Sequence, residues 1–155
     1  MSNVLIVIPA GSEPQQAMRT AVDLAKQRAG ALVALVVLDA DVPRRVASRL
    51  TEVGFMAERI GQEVSDTLLH EYRERAELLL RGLAEQAMKE GVVVTPLIEQ
   101  GDTGDICGRV IRTYQIGTAV LVAEKRSWLT RFLSHSAAVQ LPALAGCDVR
   151  VMEED

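Results

Sequence analysis

The chain has 155 residues, 48% of them apolar and 25% charged, the balance of a globular domain rather than a disordered or fibrous chain. A formal net charge of −4 excludes a general polyanion-coating role, and 3% aromatic content excludes stacking platforms for single-stranded nucleic acid. No window approaches the roughly 18 uninterrupted apolar residues of a membrane span, so one domain over residues 1–155 is expected, with neither nucleic acid nor membrane as partner.

The opening MSNVLIVIPAGS lacks a basic n-region, and its apolar run is too short for a signal-peptide core. Cys107 and Cys147 stand far apart among apolar or small residues. No disulfide framework is expected, and the cytoplasm is the expected compartment. With His70 and His135 they form no ligand pair at structural-zinc spacing, so no metal site is expected.

Asn3–Ile8 is a β-branched run without alternation, the pattern of a strand buried on both faces of a parallel sheet. After Pro9-Ala10-Gly11, Ser12 is placed to cap a helix, with Gln15 at the capping-box position and Pro14 in the first turn. Ala17, Met18, Ala21, Val22, Ala25 and Ala29 recur at helical spacing, and Gly30 is the expected stop. Ala31–Leu38 predicts a second buried strand, parallel to the first across a right-handed crossover.

Arg44–Gly61 carries a broken amphipathic pattern, read as a short helix and a mobile connection. It is either a lid or partner surface, or a variable insert that packs Leu50, Phe55 and Met56 onto the domain. Gln62–Glu90 predicts a long helix with the stripe Leu68, Leu69, Tyr72, Ala76, Leu79, Leu80, Leu83 and Ala87. Val92–Ile98 follows as a strand, and Pro96 places it at a sheet edge because proline donates nothing to a ladder.

Asp102 and Asp105 suit the start of a third helix, whose buried face is Ile106, Val110, Ile111 and Tyr114. Ala119–Ala123 is the fourth strand, Ser134–Ala145 the last helix and Asp148–Met152 the fifth strand, with Glu153-Glu154-Asp155 as a frayed end. Five parallel strands with helices on both faces satisfy this order most economically.

Chemical motifs are scarce. No phosphate-binding P-loop, dinucleotide fingerprint or nucleophile elbow is present. Gly101, Gly104 and Gly108 are explained by a tight turn and close helix packing. Ser134, His135 and Ser136 are adjacent, so on a helix they point in different directions, and a cap suits them better than a catalytic pair. No enzyme activity is expected. Lys125, Arg126 and Arg131 cluster where a strand ends and a helix begins, a place that favours anions. They serve either an anion or a solvated loop. Trp128 in that loop is either an anchor or a partner contact.

The opening strand with Gly11-Ser12-Glu13, the turn Glu99–Ile106, the strand into Ser127-Trp128 and Leu133–Leu141, and the closing Asp148–Met152 with its acidic tail together resemble the universal stress protein family, in its A-type branch. The resemblance implies an open, doubly wound five-stranded parallel sheet of order 3-2-1-4-5, Rossmann-like and adenine nucleotide alpha hydrolase-like. It also implies a homodimer through the last strand, here with Val149 and Val151 on one face and Asp148, Arg150 and Met152 on the other.

Members that bind ATP carry an aspartate after strand one and a glycine-rich loop after strand four. Here the aspartate position is Ala10. The loop glycines fall on Ala123, Arg126 and Ser136 and the final small hydroxyl on Ala137, or, with a one-residue gap, the last pair is His135-Ser136. Arg126 adds bulk where a phosphate would pass. The expectation is a stress-response module without enzyme activity or cofactor, not binding ATP tightly and acting through dimerisation and protein contacts. The alternative is a protein that binds ATP, AMP or another anion through Gly11, Ser12, Lys125, Arg126, His135 and Ser136.

Overall fold

The computed structural model describes residues 2–38, 57–123 and 147–153, the side chains of 57–62, 64 and 65 apart. Five strands form one sheet: β1 (Asn3–Pro9), β2 (Leu32–Leu38), β3 (Val94–Gln100), β4 (Ile116–Ala123) and β5 (Asp148–Glu153). Their order is β3-β2-β1-β4-β5, with every neighbouring pair parallel, as expected. Three helices are described: α1 (Gln15–Gln27), α2 (Ala57–Lys89) and α3 (Thr103–Thr113).

β1 is the middle strand, and Val4, Leu5, Ile6, Val7 and Ile8 are all buried. Successive side chains of a strand leave on opposite faces, so β1 feeds two cores. Val4, Ile6 and Ile8 join Ala17, Met18, Ala21, Val22 and Ala25 of α1 and Ala76, Leu80, Leu83 and Ala87 of α2. Leu5 and Val7 face the other way, onto Ile106, Cys107, Val110 and Ile111 of α3. Tyr114 is half-buried against that second core. The unalternated runs of β1, β2 and β4 are thus accounted for by helices on both faces.

Several boundaries differ from the sequence reading. Pro14, not Ser12, is the N-cap of α1, and no side chain caps this end. The chain is still turning at Ser12, whose amide donates to the Pro9 carbonyl at 3.2 Å; the first helical bond runs from the Met18 amide to the Pro14 carbonyl. α1 also stops earlier, with Arg28 as C-cap. Ala29, expected in the helix, takes the left-handed conformation at φ 51. Gly30 serves a different purpose, because a Cβ there would collide with the Ser2 carbonyl.

α2 reaches back to Ala57 and so takes in Ala57–Gly61, which the amphipathic pattern assigns to the end of the insert. The rest of the expected insert, residues 44–56, lies outside the described residues, as does the expected final helix. β3 begins two residues late because Val92 is still bonded to the end of α2, through the Ala87 carbonyl. β3 is an edge strand, with exposed Pro96 opposite Ala34. β4 begins at Ile116, taking in Gly117 and buried Thr118. β5 extends one residue further, to Glu153.

Asn3 ties the amino-terminal edge of the sheet together. Its Nδ2 donates to the Tyr114 carbonyl at 2.8 Å, and its Oδ1 accepts from the Ala31 amide at 3.1 Å. One side chain therefore joins the turns that lead into β2 and β4. Asn3→Ala leaves both partly buried backbone groups unpaired and is expected to cost about 1–3 kcal/mol. Chemical denaturation checks this; an unchanged midpoint contradicts it.

Candidate functional site

In an open parallel sheet the ligand crevice lies outside the carboxyl ends of the strands, where the strand order reverses. Here the reversal is between β1 and β4. Its β1 side is Pro9-Ala10-Gly11-Ser12. Ala10 is half-buried and packs against the core shared with α1 and α2. A methyl group therefore stands where the resemblance placed a carboxylate. Gly11 has φ 82, a conformation that side chains rarely adopt. Ser12 is half-buried, with its amide committed to Pro9.

Gly11 is also where the long helix meets the crevice. A Cβ on Gly11 would lie 3.0 Å from Cε1 of Tyr72, 3.4 Å from Cδ1 and 3.9 Å from Cζ. The edge of the phenol ring thus sits on the turn after β1. Helical periodicity assigned Tyr72 to the core stripe and missed this position. A signal was available in the lengths. α2 has 33 residues, about 50 Å at 1.5 Å per residue, whereas the 7 residues of β3 span about 23 Å. Tyr72 lies about 25 Å along the helix from Lys89, level with the carboxyl edge of the sheet.

Gly11 and Ser12 are adjacent in the turn after β1. Lys125, Arg126, His135 and Ser136 lie outside the described residues, as do Trp128 and Arg131. Val149 and Val151 are on β5, at the far edge of the sheet. Val149 packs against the α3-side core, while Val151 is 39% exposed. His70, on α2, is exposed and pairs with Glu74 at 3.0 Å, a surface role.

The turn after β3 is closed by its own side chains. Asp102 Oδ2 accepts from the Asp105 amide at 2.9 Å, and Asp105 stands in the first turn of α3. Two carboxylates therefore occupy the end of α3 that would otherwise favour an anion. The Gly101 amide donates to the Leu38 carbonyl, and Arg109 meets Glu99 at 3.3 Å, linking α3 to β3. At the opposite edge of the sheet, buried Thr118 is hydrogen-bonded by the Arg28 guanidinium. Among the described residues no group of three or more His, Cys, Asp or Glu is placed to hold a metal ion.

Both cysteines are free and buried. Burial pushes the Cys107 thiol up to about 12, with Asp102 adding to the effect. Burial also raises Cys147, although a backbone hydrogen bond at Ala119 opposes the shift. Neither is a thiolate nucleophile at neutral pH. In the unfolded chain a cysteine deprotonates near its ordinary value of 9.0, whereas folded Cys107 keeps its proton. The unfolded state then binds fewer protons, so this stabilisation is complete below pH 9 and declines towards about pH 12. Cys107→Ala is expected to flatten the fall in stability above pH 9, a slope of at most about 1.4 kcal/mol per pH unit. Urea titrations across that range check it; an unaltered slope contradicts it.

The family model described as the universal stress protein family matches residues 1–152. Among solved structures, universal stress protein UspA from Lactobacillus plantarum aligns at TM-score 0.68 and 19% identity, covering 98% of this chain and 99% of that one. A universal stress protein family member from Burkholderia pseudomallei aligns at TM-score 0.64 and 19% identity, covering 97% and 95%. A family protein from Arabidopsis thaliana with AMP bound aligns at TM-score 0.58 and 12% identity, covering 100% and 93%. At these identities the likeness is one of fold. No relative is found among curated proteins.

Proposed function

The chain belongs to the universal stress protein family, and from that premise we propose that it is a non-catalytic, homodimeric stress-response module of the cytoplasm. It acts through protein contacts and does not hold ATP tightly. The observation that carries this reading is the turn after β1. Ala10 offers a methyl group packed on the core, and the ring of Tyr72 rests on Gly11. A base or ribose would find neither an acceptor carboxylate nor open space at that point. The replaced loop glycines support the same conclusion, since side chains at those positions keep the backbone from wrapping phosphates.

Dimerisation is supported by β5. It is an edge strand, with one ladder facing away from β4. Exposed Val151 adds an apolar contact to the backbone groups available for pairing with a second copy. A second reading, a nucleotide-binding regulator, is favoured by the AMP found on the Arabidopsis thaliana protein of the same fold. It would use Gly11 and Ser12 with Lys125, Arg126, His135 and Ser136, replacing a glycine cradle by positive charge.

Mass spectrometry on freshly purified, denatured protein separates the two. No stoichiometric adenine nucleotide is expected, and finding one overturns the leading reading. For the dimer, Val151→Glu places a charge on the exposed face of β5 while leaving the core untouched. Sedimentation is expected to show a shift from dimer to monomer with an unchanged circular dichroism spectrum. A variant that remains fully dimeric contradicts the β5 interface.

A further inference from the structure

α2 is held on the sheet by Ala76, Leu80, Leu83 and Ala87, all buried. Tyr72 precedes Ala76 by one helical turn, on the same stripe. Its position is therefore set by the packed half of the helix, and the ring cannot leave Gly11 by local loop motion alone. The contact also requires glycine. With φ 82 and a ring carbon 3.0 Å from the Cβ position, a side chain at residue 11 would meet both backbone strain and the phenol ring.

We infer that Tyr72 is a specificity-determining residue that fills the crevice at the end of β1 and excludes a purine-sized ring from it. This inference rests on the proposed loss of nucleotide binding and assigns part of that loss to one side chain. The two obstacles are chemically separate. The missing loop glycines act on the phosphates. Tyr72 acts on any base or ribose that approaches the turn after β1, because its ring already lies against Gly11. A six-membered aromatic ring already lies against Gly11, so a second planar ring cannot take the same place.

Adenosine, which has no phosphate, isolates the second obstacle. Isothermal titration of adenosine into wild type, Tyr72→Ala and Tyr72→Phe is the experiment. Tyr72→Ala is expected to bind at least tenfold more tightly than wild type, and Tyr72→Phe, which keeps the ring, to match wild type. Equal affinities for Tyr72→Ala and wild type overturn the inference, as does a gain by Tyr72→Phe as large as that of the alanine variant. Tyr72→Leu, which keeps an apolar side chain on the stripe, replaces the alanine variant if the latter does not fold, and carries the same expectation. In the wild type, a nuclear Overhauser contact between the Tyr72 ring and the Gly11 α-protons is expected; its absence also overturns the inference. Nucleotide retained by the purified wild type speaks against the function proposed above. A flat adenosine comparison with no retained nucleotide speaks against Tyr72 alone.

Discussion

The constraint on which the structure depends is the burial of β1 on both faces and along both edges. β2 and β4 pair with it in parallel on either side, so the backbone groups of this strand are satisfied only within the sheet. Its side chains then supply two separate cores, one closed by α1 and α2, the other by α3. Removing β1 would leave β3 and β2 on one side and β4 and β5 on the other, with no ladder between them. The crevice at the carboxyl edge arises from the same arrangement, because the chain moves outward from β1 in one direction and then restarts on its other side.

At the two ends of this strand the chain meets different demands. The amino-terminal edge is closed by polar side chains. Asn3 joins two turns, and Arg28 satisfies Thr118, the one buried polar residue among the described residues. The carboxyl edge presents a methyl group, a glycine and an aromatic ring. The first edge is held by side-chain hydrogen bonds, whereas at the second the contact is between the Tyr72 ring and the turn at Gly11. After β3 the chain uses Asp102 as the cap of α3, with Asp105 in its first turn.

Most of the fold was legible in the sequence for a simple reason. A strand buried on two faces has to be apolar throughout, and a helix on a sheet has to be apolar on one stripe. These patterns identified β1, β2, α1, α2 and α3. The errors fell at ends, where local signals compete. Ser12 has the chemistry of a cap, but its amide is held by Pro9, and the helix begins three residues later. Gly30 has the chemistry of a helix stop, but Ala29 takes the left-handed turn and Gly30 makes room for the Ser2 carbonyl. In both cases a contact made elsewhere in the chain decides between two locally acceptable conformations.

The sequence by itself determined the parallel sheet with helices on both faces, the edge position of β3 through Pro96, and the acidic start of α3 at Asp102 and Asp105. Each follows from a residue's own chemistry or from periodicity, and both are local properties. Only the tertiary structure decided that Tyr72 lies on Gly11. Sixty residues separate the two, and the ring arrives there because the length of α2 exceeds the depth of the sheet it packs on. Periodicity records which face of a helix is apolar. It does not record how far along that face the supporting sheet extends, and the contact between Tyr72 and Gly11 depends on that distance.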